Sequence, residues 1–486
     1  MKTVTINPVT RLEGHGKISI FLNEEGNVEN AYFQVPELRG FEKFCEGRPV
    51  EELPDITSRI CGVCPEAHHI ASTKALDRIF HVDPPSTAKK LRELLYSAFF
   101  ISDHTTHFYI LSGPDFIMGP TAPKAERNIL SAINKVGLEV GTSVIKHRSD
   151  ALDVIAMIGG RRVHPTCGVP GGLSKSITET ERAKIEEVAK SEVEFAKFTL
   201  KLFDDIVLQN QDYLNLITGD VYATETYYMG LVDDKNHVNF YDGKIRVVDP
   251  EGNEFAKFSA ADYQEHIAEH VEPWTYLKYP YLKKIGWKGL IGGKSSGIYR
   301  ATPLARLNVA DGMATPLAQA EYERMYKAFG KTPVHATLAT HWARLVELMY
   351  AAERLLELSR DSEITNPNVR TIPTAKPDEG VGVVEAPRGT LIHHYETDPK
   401  GLVKNVNLIV ATTNNHAAIS MSIKQAAERL ITKGNISDGI LNMVEMAFRA
   451  YDPCYACATH TLPGQMPLEV NIYNMDRKVL KTLRRP

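Results

Sequence analysis

The chain has 486 residues, 43% hydrophobic and 24% charged, with 56 basic against 60 acidic side chains and a formal net charge of -4. That balance excludes a disordered chain and leaves no broad positive field for nucleic acid or an anionic membrane. No apolar stretch reaches the roughly eighteen residues a membrane span needs, and MKTVTINPVTRLEGHGK carries no basic-then-apolar export signal, so a cytoplasmic location is expected.

The first forty residues alternate apolar and polar around a turn at Glu25-Gly26-Asn27, which predicts a small sheet in an N-terminal part, 1–83, that also holds a first cysteine pair, Cys61 and Cys64. From Pro84 the period becomes helical, the first helix closing at Gly113 with Asp103 and His107 one turn apart. A second long helix starts at Thr178 with a capping box to Glu181, so 84–213 reads as helical. Residues 214–260 read as a β-meander insertion, with turns at Asp242-Gly243 and Glu251-Gly252. Val334 to Asp361 is apolar nearly all round, which predicts a buried helix in a helical core, 330–460, that ends on the second pair, Cys454 and Cys457. The tail, 461–486, alternates like a retained pair of strands. The expected fold is mainly α, of the α+β kind: one interrupted domain over 1–486, with a central helical bundle and small peripheral sheets.

The two C-x-x-C pairs lie at opposite ends of the chain. Each can put both sulfurs on one side of a turn, and together they would make a four-sulfur site. Structural zinc is one reading, although zinc ribbons space their pairs by only about 15–20 residues. Two independent redox pairs, or buried structural thiols, are others. A catalytic metal is the fourth, since thiolates accept several metals. His68 and His460 each follow a pair within about a turn, and Arg388 in APRG offers a cation near the concentrated negative charge.

The chain resembles the large subunit of nickel-iron hydrogenases. RLEGH (Arg11–His15), RGFE (Arg39–Glu42), RICGVCPEAHH (Arg59–His69), SDHTTHFY (Ser102–Tyr109), HPTCGVPGG (His164–Gly172), EAPRG (Glu385–Gly389), VATTNN (Val410–Asn415) and DPCYACATH (Asp452–His460) carry the resemblance, in the family's order. It implies the nickel-iron hydrogenase large-subunit fold and reversible heterolytic splitting of H2. It implies that Cys61, Cys64, Cys454 and Cys457 hold nickel, with Cys64 and Cys457 bridging to an iron that carries carbon monoxide and two cyanides. Cys454 would take the proton and Glu13 would relay it. Arg388 would hang over the open face, held by Asp103 and Asp452. Pro387 and Thr412 would sit near the cyanides, and His68 would hydrogen-bond a bridging sulfur. Glu42 and His460 match the ligands of a separate ion, magnesium or iron.

Much of the family has serine and tryptophan where this chain has Thr412 and Asn414, and many members end at the residue matching His460. Cys45 and Cys167 match no metal ligand and read as structural. The blocks look most like cytoplasmic archaeal members of the viologen-reducing type associated with heterodisulfide reductase. This implies a hetero-oligomer in which an iron-sulfur small subunit, a flavin-bifurcating heterodisulfide reductase and an electron-transfer subunit take the electrons. The clusters and flavin must lie in those partners, because the chain has no spare cysteines and no Gly-rich dinucleotide fingerprint. Deazaflavin- or nicotinamide-reducing types and a hydrogen sensor are the alternatives. The related quinone-site subunit of respiratory complex I is set apart by its lack of the four cysteines.

Overall fold

The computed structural model describes residues 2–460, 468–474, 476 and 478–485. Strands β1 (Lys2–Ile6), β2 (Lys17–Leu22) and β3 (Val28–Gln34) form an antiparallel sheet in that order, Ile20 standing opposite both Val4 and Ala31. Helix α1 (Pro65–Ile79) starts directly after Cys64, with proline in its first turn, where the missing N–H leaves no bond unmade. Helix α2 (Ser86–Thr106) follows. The sequence reading has this helix unbroken to Gly113, whereas His107–Ser112 is a wide π-type turn leading into Gly113–Ile117. Two features open the register there: Pro114 offers no N–H, and the Ser112 hydroxyl bonds back to the carbonyls of His107 and Phe108 at 3.3 and 3.2 Å.

Helix α3 (Leu138–Gly159) packs against α2, and α4 (Glu179–Phe203) opens on the Thr178–Glu181 capping box read from the sequence. Strands β4 (Tyr227–Val232), β5 (Lys244–Val248) and β6 (Glu254–Phe258) form a meander, to which Tyr299–Arg300 adds in parallel beside β4. That two-residue strand is too short to give a periodic signal. Helix α5 (Pro303–Val309) follows, then α6 (Thr340–Ser359), in which every residue from Thr340 to Ala352 is buried, as an apolar helix at the centre of the molecule requires.

Strands β7 (Glu379–Ala386), β8 (Gly389–Thr397) and β9 (Val403–Ile409) are antiparallel. Ala386 faces Gly389, so Pro387-Arg388 is a two-residue loop that presents Arg388 at its tip. Gly389, at φ +144°, has no substitute here: a Cβ would lie 2.4 Å from the Ala301 carbonyl oxygen. Gly382 lets β7 approach α1, since a Cβ would lie 2.0 Å from the Ala71 oxygen. Helices α7 (Ala411–Leu430) and α8 (Asp438–Arg449) and the short turn Tyr455–Ala458 complete the body, followed by the paired strands β10 (Leu468–Tyr473) and β11 (Val479–Arg485). Residues 461–467 of the expected tail lie outside the described residues. The result is a helical centre with small sheets around it, and the apolar core that runs from Val9 to Ala458 includes all four cysteines of the two pairs.

Candidate metal centre

The two ends of the chain are joined by specific bonds. Arg11, at φ 61°, sends its guanidinium to Asp115 and to the Leu111 carbonyl at 3.1 Å, and Arg449 at the end of α8 reaches the same Asp115 at 3.2 Å. Glu445 of α8 accepts from the Thr10 N–H at 3.0 Å. The backbone of Glu13 then runs beside Cys454 as a parallel bridge, with Glu13 N–H to Pro453 O at 3.3 Å and Tyr455 N–H to Glu13 O at 3.0 Å. Arg11 is thus satisfied by Asp115, and the Glu13 side chain is left for another partner.

Cys61, Cys64, Cys454 and Cys457 are all buried, and their sulfurs lie within 4.8 Å of one another. Cys61 is 3.4 Å from Cys454, Cys64 is 3.3 Å from Cys457, and Cys454 is 2.8 Å from Cys457. The Val63 and Cys64 N–H groups point at Cys61 Sγ, at 3.2 and 3.4 Å. Hydrogen bonds from Cys454 and Cys457 hold the Cys61 thiol well below its ordinary 9, while burial pushes Cys454 and Cys457 well above it. Four soft donors converging in a dry interior fit a nickel or iron ion.

Around the sulfurs stand the charged groups. Cys454 Sγ donates to Glu13 Oε2 at 3.0 Å, and the Ala456 N–H donates to the same oxygen at 3.1 Å. Burial first, and then the Cys61 sulfur, push the Glu13 carboxyl above its usual range. Arg388 is buried, with Nη1 bonded to Asp103 Oδ2 at 3.0 Å and Nη2 paired with Asp452 Oδ2 at 2.9 Å. Asp452 takes φ 55°, a rare conformation that aims its carboxylate back at Arg388 one residue before Pro453 and the cysteine pair. Cys64, Cys454, Cys457, Arg388, Thr412 and His68 line one small cavity. Thr412 Oγ1 accepts from the Cys454 N–H at 2.9 Å.

The other expected residues fall as follows. Pro387 is buried beside Arg388 and gives its carbonyl to Arg306 at 3.2 Å. His68 Nδ1 is 3.1 Å from His393 Nε2, and His68 lines the same cavity as Cys64 and Cys457. Glu42 is buried, accepts from the Leu408 N–H at 3.0 Å, and is pushed up to about 7 by burial. His460 is buried with neither ring nitrogen partnered among the described residues, and Phe41, next to Glu42, meets its ring edge-on at 5.6 Å. Cys45 and Cys167 are buried away from the cluster, each pushed up to about 12 by burial.

The sequence reading missed the network behind the Arg388 loop. Arg306 of α5 grips Glu347 of α6 with both arms, at 2.6 and 2.7 Å, bonds Glu385 at 2.9 Å, and donates to the carbonyls of Ala386 and Pro387. His104 closes on Glu347 at 2.9 Å. The available signal was a pair of charged residues inside a mainly apolar helix, Arg344 and Glu347 in ARLVELMYAA.

The family profile described as nickel-dependent hydrogenase matches residues 39–140 and 135–460, and a HoxL-like profile matches 3–38. The chain is 50% identical over 485 residues, all of both chains, to an iron-sulfur subunit of the F420-non-reducing hydrogenase of Archaeoglobus profundus. It is 37% identical to the NAD-reducing hydrogenase HoxS subunit beta of Cupriavidus necator, over 97% of each chain. Among solved structures, an NAD+-reducing [NiFe]-hydrogenase in the H2-reduced state superposes with a TM-score of 0.88 at 35% identity, over 95% of this chain and all of that one.

Proposed function

The chain belongs to the nickel-dependent hydrogenase family as a catalytic large subunit that splits H2, and on that premise we propose how its residues divide the work. The observation that carries the reading is the convergence of four buried sulfurs, with Glu13 bonded to Cys454 and Arg388 lining the same cavity. Cys61, Cys64, Cys454 and Cys457 hold the nickel-iron pair. When bound, that pair supplies the redox-active Lewis acid at which H2 is cleaved heterolytically.

Cys454 Sγ receives the proton, and Glu13 Oε2, already in hydrogen-bond reach, takes it on. The raised affinity of Glu13 for a proton brings it closer to a sulfur's, and the Ala456 N–H fixes the carboxylate in place. Arg388, immobilised by Asp103 and Asp452, offsets the charge of the thiolates and excludes water from the face between them. Because Thr412 Oγ1 accepts from the Cys454 N–H, its O–H is free to donate, and Thr412 and Pro387 would hydrogen-bond or pack against cyanides carried by the iron. His68 lines the same cavity as Thr412. Glu42 and His460 bind a second ion, magnesium or iron; the two ring nitrogens of His460, unpartnered among the described residues, support this.

Electrons leave through iron-sulfur clusters of a small subunit, since Cys45 and Cys167 are buried apart from the centre and no other cysteine remains. We read the complex as cytoplasmic, in keeping with six free thiols, and its acceptor as a heterodisulfide reductase with a bifurcating flavin. The name of the Archaeoglobus relative favours an acceptor other than F420, and the nicotinamide type is the second reading because of the Cupriavidus relative.

The test is the triple-bond region of the infrared spectrum of the purified complex, beside elemental analysis. One carbonyl and two cyanide bands with nickel present are expected. Zinc with a blank infrared window would sink the assignment of the centre.

A further inference from the structure

The Arg388 loop is held on its entry side by Arg306, which takes the carbonyls of Ala386 and Pro387. Its exit side is held from α7 by two neighbouring amides. Asn415 Nδ2 donates to the Arg388 carbonyl at 2.7 Å and to the Ala411 carbonyl at 3.2 Å, while its Oδ1 accepts from the Ala301 N–H at 2.7 Å. Asn414 makes a second crossing beside it: its Oδ1 accepts from the Tyr299 O–H at 2.5 Å, and its Nδ2 donates to the Thr390 carbonyl at 2.7 Å. Both side chains are at most 1% exposed.

A primary amide carries donors and an acceptor at a fixed separation, so one Asn415 side chain links the Ala301 N–H to the Arg388 carbonyl. The amide cannot turn over, because its oxygen would then face two carbonyl oxygens and the buried Ala301 N–H would lose its acceptor. Gly389 lies in the same crevice: a Cβ there would come within 2.4 Å of the Ala301 oxygen and 3.2 Å of the Ala411 oxygen, the two residues that Asn415 also binds. Arg388 is therefore held at both ends, at its carbonyl by Asn415 and at its guanidinium by Asp103 and Asp452. Asn414 stands where much of the family has tryptophan, and an indole, with one N–H and no acceptor, could not make both of the Asn414 bonds.

We propose that Asn415, supported by Asn414, is a positioning residue for Arg388: it fixes the backbone from which the guanidinium reaches the cavity lined by Cys64, Cys454 and Cys457. The role rests on the proposed function of Arg388; the hydrogen bonds themselves do not. With its carbonyl released, the Arg388 backbone can shift, and a misplacement of about 1 Å costs about a hundredfold in rate.

The test is Asn415→Leu in the full enzyme, made alone and in an Arg388→Lys background, with hydrogen uptake expressed per nickel. Alone, it should lower kcat about tenfold or more and leave KM for H2 unchanged. The lysine of Arg388→Lys already lacks the fork that meets Asp103 and Asp452, so in that background the same change should cost less than about threefold, since residues that act as a unit are not additive. Asn414→Leu, which releases the Thr390 carbonyl but not that of Arg388, should show a smaller loss of kcat. If Asn415→Leu does not load nickel, Asn415→Ala carries the same expectations. A kcat within about twofold of the native value, equal fold losses in the two backgrounds, or nickel missing from both Asn415 variants overturns the proposal. Full uptake in Arg388→Lys alone would instead refute the reading of Arg388 itself, and the proposal would fall with it.

Discussion

Arg306 links the stability of the fold to the placement of Arg388, and Arg306→Met separates the two contributions. The native guanidinium makes five hydrogen bonds of 2.6–3.2 Å, two to Glu347, one to Glu385 and two to the carbonyls of Ala386 and Pro387. Neither carboxylate is exposed at all. Removing one partner of a buried ion network costs about 3–5 kcal/mol, because the remaining charges have nothing to face. With an unfolding entropy of about 2.1 cal/mol/K per residue, a chain of this length unfolds with about 1 kcal/mol/K, so the melting temperature should fall by about 3–5 °C. Calorimetry on the purified chain measures this. Hydrogen uptake should fall further than stability does, because the Pro387-Arg388 loop loses the two bonds that hold its carbonyl side. Arg306→Lys keeps the charge but not the planar fork and should recover only part of each loss. A melting temperature within about 1 °C of the native value, or full uptake in Arg306→Lys, would refute the assignment of Arg306 as the clamp.

Three further outcomes follow from the geometry. Glu13→Gln keeps the shape and an acceptor for the Ala456 N–H, so nickel content should stay constant while H/D exchange slows by about a hundredfold or more; nickel loss would make Glu13 structural instead. Thr412→Val leaves the buried Cys454 N–H without an acceptor, at a cost of about 1–3 kcal/mol, and should shift a cyanide band, whereas Thr412→Ser should restore both; equal behaviour of the two variants counts against the hydroxyl. Although burial opposes it, Arg449 and Arg11 pull the Asp115 carboxyl below its ordinary 3.8. Asp115 therefore stabilises the fold above about pH 4, and that contribution is lost as pH falls through the lowered value. Asp115→Asn should melt lower than the native chain at neutral pH, with the gap closing in acid; a gap that stays constant with pH would mean the carboxylate's charge is not what joins the chain ends.

What the sequence disclosed depended on the range of the interaction. The capping box at Thr178 and the all-round apolar face of α6 are local signals, written within one or two turns, and the structure carries both. The π-type turn at His107–Ser112 departs from the helix read there, because Pro114 and the Ser112 hydroxyl act together on a register that apolar periodicity does not report. The four cysteines were legible as motif pairs, and the family blocks named the charged residues around them. The Arg306 clamp and the His68–His393 contact were not legible, since each joins a helix to a strand far away in sequence and their residue types are ordinary one at a time.

The remaining question is why residues from the two ends of the chain meet, with their sulfurs 3.3–3.4 Å apart. Four thiols offer only weak hydrogen bonds to one another, and as thiolates without a cation they would repel, so the cluster alone joins the halves weakly. The joining force has to lie beside it, and the structure puts it in Arg11, Asp115, Asn442, Glu445 and Arg449, a buried network in which each charge has an opposite neighbour. Its last residue, Arg449, ends α8 five positions before Cys454, and its first, Arg11, stands two before Glu13. The network thus holds Glu13 and Cys454 in one register through backbone bonds on both sides of Glu13. If it does the joining, weakening Asp115 should spread the sulfurs and lower nickel uptake without touching any group that contacts the metals.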